Sequence, residues 1–167
     1  NKNIITNLYS GAVLTRTVVL AFDYTGENLA KNLEADLKFK YEGKCTVEGY
    51  VKPGTIKNIQ HSCGTIVRGN LIQFQVNFEC KVCFLADNCI FKCIAKNITK
   101  AGIKAESVEQ PSPVVVFIAR DHHFVSKLFN SVKEGDTFMI RVLGQQFELN
   151  DEFVSIIGSI VNPKTFM

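Results

Sequence analysis

What this chain lacks narrows its chemistry before any motif is read. No apolar run approaches the roughly 20 residues a transmembrane helix needs, so no helical membrane span and no membrane partner are expected. No charged-then-apolar segment opens the sequence as a secretory leader would, and an intracellular protein is expected. Charge of one sign is scarce. The net charge is +3, with 10 basic and 7 acidic residues up to Ala86 and 9 of each beyond it. So even a balance leaves no basic arm or tail, and any contact with a polyanion must come from local clustering. Catalytic signatures are missing as well: no Gly-x-Ser-x-Gly elbow, no phosphate-cradling glycine loop, no paired carboxylates set across a cleft. Asp121, His122 and His123 come nearest to a thiol-hydrolase set with the cysteines, but no spacing puts a nucleophile beside a base. Arg120-Asp121-His122-His123 reads more simply as a polar turn ending a strand, and a non-catalytic protein with no cofactor is expected. Repeats and low-complexity stretches are also absent.

What is present is a core. The chain has 167 residues, 46% of them hydrophobic, enough for one ordinary domain or two small ones. Residues 13–22 are rich in β-branched side chains and predict a strand. Residues 27–41 predict a helix, with Leu29, Leu33 and Leu37 on one stripe, Glu27 in the first turn and Gly43 at its end. Short strands are predicted over 46–51, 55–61, 65–67 and 71–84, the last with Phe74, Val76 and Phe78 alternating. Lys52-Pro53-Gly54 and Ser62-Cys63-Gly64 break them as turns. Ala86-Asp87-Asn88 marks a boundary, giving modules over 1–86 and 87–167 joined too closely to swing.

The stretch 88–123 carries the most information. A strand over 89–98, a glycine turn at Thr99, Lys100 and Gly102, a second strand over 103–107 and a third over 114–119 make the opening of a small OB-type barrel, a fold that commonly binds single-stranded nucleic acid. Further strands are predicted over 137–143 and 153–160. The fold class is therefore α+β: an N-terminal helix on an antiparallel sheet, then a five-stranded OB-type barrel.

Strand alternation sorts the residues of 89–98. Cys89, Phe91, Cys93 and Ala95 suit a barrel core. Ile90, Lys92, Ile94 and Lys96 share the outer face, where two cations could track phosphates; Lys100 and Lys104 extend that line, and Arg120, His122 and His123 lie past the third strand. Phe117, inside the apolar run Val-Val-Val-Phe-Ile, could serve as a base-stacking aromatic, but such a position is more often core, and core is expected. The six cysteines, Cys45, Cys63, Cys80, Cys83, Cys89 and Cys93, are expected to be reduced and mostly buried. A zinc site is not expected. Cys80 and Cys83 sit in strand-like sequence about 10 Å apart and aim at opposite faces, and the spacing to Cys89 and Cys93 is not that of a ribbon.

Four segments resemble one family, the stalk subunit of archaeal and eukaryotic-type multisubunit RNA polymerases that carries an OB barrel behind a tip module. These are Tyr41-Glu42-Gly43-Lys44-Cys45-Thr46 at the helix end, Val76-Asn77-Phe78-Glu79-Cys80-Lys81-Val82-Cys83-Phe84 on the long strand, residues 88–106 as the first barrel hairpin, and the terminal Phe-Val-Ser-Ile-Ile-Gly-Ser-Ile over 153–160. The resemblance spans nearly the whole chain in the same module order, with shortened loops and unusual cysteine content that a divergent polymerase, such as that of a large DNA virus, would account for. It implies a tip module that docks on the polymerase core near the clamp through Lys52, Pro53, Gly54, Thr55 and Gly64, two turns expected at one end of that module. It implies a barrel of the ribosomal-protein S-one type that guides nascent single-stranded RNA, here through Lys92, Lys96, Lys104, Arg120, His122 and Arg141. Its implied partners are the large subunits of the RNA polymerase core and a second stalk subunit, the counterpart of the one that pairs with this family in archaea. Its implied location is the nucleus, or a viral factory and virion. The chain departs from such barrels where Lys104 follows the glycine turn in place of a stacking aromatic, so charge-driven, sequence-independent RNA contact is expected. The other reading is a free-standing OB-fold RNA-binding protein of translation or RNA processing.

Overall fold

The computed structural model describes residues 4–120 and 131–161. Its architecture is mixed α+β, an antiparallel sheet carrying a helix followed by a closed five-stranded barrel.

The first sheet is organised on one long strand. β1 (Ser10–Ala21) carries Val13, Thr15, Thr17, Val18 and Val19, whose branched side chains suit a pleated surface. It pairs antiparallel along its length with β6 (Leu71–Cys83). The other side of β6 takes three short strands in turn: β3 (Gly49–Val51), β4 (Lys57–His61) and β5 (Thr65–Arg68). Period-two alternation decides the faces. Phe74, Val76, Phe78, Cys80 and Val82 are buried, whereas Gln75, Asn77 and Lys81 are exposed.

Helix α1 (Leu29–Tyr41) closes the buried face with Leu33 and Leu37, both fully buried in one cluster with Val18, Val76 and Phe78. The helix begins after Asn28, so Glu27 precedes its first turn and does not occupy it as expected. Its outer surface carries ion pairs one turn apart, Glu34 to Lys38 at 2.8 Å and Asp36 to Lys40 at 3.0 Å. The single strand expected over 46–51 is instead a tight hairpin, β2 (Cys45–Thr46) and β3. The Thr46 hydroxyl accepts from the Glu48 amide and donates to the Gly49 carbonyl, so the side chain closes a turn that the alternation alone does not show.

The barrel runs β7 (Ile90–Ile98), β8 (Gly102–Ser107), β9 (Val114–Ala119), β10 (Thr137–Gln146) and β11 (Val154–Ile160). Around the ring the order is β7, β8, β9, β11, β10 and back to β7, with β9 and β11 the one parallel pair; this is the OB topology. Phe91, Ile103, Ile118, Ile140 and Ile156 fill it, and the small Cys93, Ala95 and Ala105 leave them room. Gly102 opens β8 because a Cβ there would run into the Ile118 carbonyl oxygen.

The two parts meet in a built seam. Leu8, Tyr9, Cys45, Tyr50, Cys83 and Leu85 belong to the same buried cluster as the barrel core. Backbone bonds cross it: Cys45 N donates to Asp151 O at 2.8 Å, and Asn150 N to Cys45 O at 2.9 Å. The Gln145 amide brackets Leu85, donating to its carbonyl at 2.6 Å and accepting from its N–H at 3.2 Å. At the start of β7 the segment containing Ile4 and Ile5 lies alongside, with Ile5 N donating to Ile90 O at 2.8 Å. Ile90 is buried beside that segment, so the outer face on which sequence alternation puts it is not solvent-exposed there.

Candidate nucleic-acid interface

Each barrel strand turns alternate residues outward, so the pairing registers assemble the outer surface row by row. One row crosses four strands. Asn97 on β7 lies opposite Lys104 on β8, Lys104 opposite Phe117 on β9, and Phe117 opposite Ile157 on β11. All four are exposed, Phe117 by 41% and Ile157 by 53%. The row spans three strand spacings, roughly 14 Å at ~4.8 Å each. Beside it runs a second row, Ile94, Glu106, Val115 and Ser155, whose first three members are half-buried.

Phe117 corrects the sequence reading, which puts it in the core. Val114, Val116 and Ile118 are fully buried, so Val115 and Phe117 must face out. A run that is apolar on both faces conceals the period of two, and only the strand's phase against β8 reveals it.

The cations expected to bind RNA divide into two groups. Lys96 sits at a bulge in β7, between Ala95 opposite Ala105 and Asn97 opposite Lys104, and so next to the exposed row. Arg120 follows β9 with its guanidinium turned onto the β7–β8 loop, Nε donating to Lys100 O at 2.9 Å and Nη2 to Thr99 O at 3.1 Å. Lys96, Lys100, Lys104 and Arg120 thus gather around one end of β7 and β8. Lys92 and Arg141 do not join them. Lys92 lies opposite Met139 and Arg141 opposite Ile90, on the β7 and β10 side, where Lys92 edges a cleft of about 600 Å³ with Phe138 and Met139. His122 lies outside the described residues.

The residues expected to dock on a core also separate. Lys52 N donates to Lys81 O at 2.8 Å, and the Thr55 hydroxyl ties the turn by donating to Lys52 O and accepting from Lys81 N. The Lys52 ammonium reaches Glu109 of the barrel at 3.1 Å and lies 4.9 Å from the centre of the Tyr9 ring. Lys52 therefore fastens the seam, with Pro53 and Gly54 exposed beside it. Gly64 is elsewhere, tucked against the side chains of Ile72 and Phe74. Lys81 and Phe74 stand on β6 roughly 23 Å apart at ~3.3 Å per residue, so the two turns do not share one end. The end near Gly64 carries exposed apolar side chains: Phe22, Tyr24, Ile66 and Val67. Phe22 N donates to Asn70 O at 2.7 Å, which holds the end of β1 against the β5–β6 turn.

The cysteines have no solvent-facing chemistry except at Cys63, which is exposed. Burial pushes the Cys45 and Cys80 thiols up to about 11 and Cys83 up to about 12, and raises Cys93 further. Such thiols stay protonated and behave as small apolar groups. Cys80 packs into the sheet core and Cys83 into the seam, on opposite faces of β6. Among the described residues no group of three or more His, Cys, Asp or Glu side chains could hold a metal ion.

Sequence reasoning weighed Phe117 as a stacking aromatic but favoured the core for it, and missed Ile157 as a surface residue. The signal that could have found them is the Gly102-anchored hairpin, which phases β8 against β9 and sets Lys104 opposite Phe117. Compared with known proteins, the chain matches no family model and no curated protein.

Proposed function

We propose that this chain is a non-catalytic stalk subunit of a multisubunit DNA-directed RNA polymerase. In this reading the barrel guides emerging single-stranded RNA by charge, and the sheet unit docks on the core near the clamp, beside a second stalk subunit. The observation that carries the RNA part is the grouping of Lys96, Lys100, Lys104 and Arg120 around one end of an OB barrel, a cationic rim on a chain whose overall charge is nearly balanced. The polymerase part is supported by the module order, a helix-bearing antiparallel sheet followed by that barrel, and by the four resembling segments. The exposed Phe22, Tyr24, Ile66 and Val67 suit docking better than Lys52, which is engaged at the seam. The protein would then work where its polymerase works, in the nucleus or in a viral factory and virion.

Affinity purification of the tagged chain tests the assignment. The large polymerase subunits should come down with it. Recovery of the chain alone, or with ribosomes, would overturn the stalk reading in favour of a free-standing RNA-binding protein. For the rim, Lys96→Gln with Lys104→Gln should weaken binding of single-stranded RNA. It should also flatten the slope of log affinity against log salt by about 1.4, ~0.7 for each cation lost on a single strand. An unchanged slope would put the RNA face elsewhere.

A further inference from the structure

We infer that Phe117 is a stacking seat for one unpaired nucleobase, with Ile157 flanking the base and Lys104 meeting the phosphate of the same strand. The inference rests on the RNA-guiding reading of the barrel and narrows its ligand to nucleic acid with unstacked, accessible bases. Phe117 sits mid-strand in β9 between the buried Val116 and Ile118, 41% exposed, so it adds nothing to the barrel core. Its neighbours in the row are Lys104 on one side and Ile157 on the other. Directly opposed side chains in adjacent antiparallel strands start about 5 Å apart, so an ammonium on Lys104 and a base on Phe117 can engage adjoining parts of one nucleotide. Aromatic faces accept any base, and cations beside them track the backbone; together they recognise single strands without reading sequence. A duplex keeps its base faces stacked and offers nothing for the ring to meet.

A protein partner fits this spot less well. Phe117 exposes roughly 80 Å², taking about 200 Å² for a whole aromatic side chain. Even doubled by Ile157, the apolar patch is far below the ~800 Å² per partner of a stable protein interface. The charge around it is also that of a polyanion site: Lys96, Lys100, Lys104 and Arg120 lie toward one end, with Glu106 in the adjoining row the acidic group nearest Lys104 on β8.

The chain has no tryptophan, so Phe117→Trp makes a single indole reporter at the seat itself. The probes are a single-stranded oligouridine and an abasic oligonucleotide of equal length and charge. Phe117→Ala should weaken oligouridine binding about 10-fold or more and leave abasic binding unchanged, whereas Phe117→Trp should keep affinity and be quenched by oligouridine only. The seat is overturned if Phe117→Ala binds oligouridine like the parent chain and the indole emission does not move. In that case a continued loss of binding in Lys96→Gln with Lys104→Gln leaves the charge-guiding reading standing. A parent chain that binds neither probe overturns both. Indole emission shielded by a co-purifying protein overturns the seat in favour of a protein contact.

Discussion

In the barrel every strand has two neighbours; in the preceding sheet β1 pairs with β6 alone among the described residues, and β5 lies fully exposed. The closed ring has no backbone edge to offer, so its outer rows and loop ends are what a ligand can meet. The open sheet has both an edge and an apolar end. Its one charge on β1, Arg16, turns inward over the Tyr41 ring at 5.4 Å and bonds to Glu48 at 2.5 Å, an arrangement that guards a long edge against pairing with another chain. That hydrogen bond from Arg16 also holds the Glu48 carboxyl below its usual range. The cores differ as well. The sheet and helix enclose a cluster of their own, whereas the barrel core continues into the seam through Tyr9, Cys83 and Leu85. In the proposed reading, RNA contact would fall to the barrel and docking to the sheet, with the seam core joining the two.

The largest effects should come from cutting each core separately. Phe78→Ala in the sheet and Phe91→Ala in the barrel should each cost about 3–5 kcal/mol in denaturant unfolding. Their hydrogen-exchange patterns should differ. Phe91→Ala should loosen β2 and β3 along with the barrel, because the seam shares its core, while Phe78→Ala should leave β7 to β11 protected. Equal loosening in both variants would erase the distinction between the two cores.

Next in size is an alkaline limit. In the unfolded chain the buried thiols ionise at their ordinary value of 9.0; in the fold Cys45 and Cys80 wait until about 11 and Cys83 until about 12. Above pH 9 the unfolded chain releases protons that the fold retains, so stability is intact below that point and falls as pH rises toward 12. Melting temperature should be level from about pH 7 to 8 and drop above about 9, and Cys80→Ala with Cys93→Ala should make the drop shallower. A drop unchanged in that variant would assign it to other groups, with Tyr9 the first candidate, since burial raises its phenol too.

Smaller still is the loss at the sheet edge. Arg16→Ala should cost no more than about 1 kcal/mol, yet promote concentration-dependent association seen by light scattering. Glu109→Gln, which breaks the half-exposed contact to Lys52, should cost about 0.5 kcal/mol and leave RNA affinity unchanged.

The sequence made the elements readable where period and punctuation agreed. The stripe of Leu33 and Leu37, the alternation along β6 and the glycine turn before β8 each appear where they were expected. Three features were hidden for physical reasons. The β2–β3 hairpin depends on a hydroxyl closing a turn. The burial of Ile90 depends on Ile4 and Ile5, a segment far away in the chain. The exposure of Phe117 depends on the phase of a strand that is apolar on both faces. The cationic set was legible as residue types but not as a group, since only the strand registers show that Lys92 and Arg141 lie where β7 pairs with β10, away from the end of β7 that pairs with β8.

The parallel pairing of β9 with β11 has a consequence for how the chain is made. The last strand among the described residues, Val154–Ile160, is wedged between β9 and β10. During synthesis the sheet has all its strands once Cys83 has emerged, but the ring stays open until residue 160 is free of the ribosome. Through that interval β9 and β10 each lack one strand neighbour, so the seven residues of β11 act as the bolt that closes the ring.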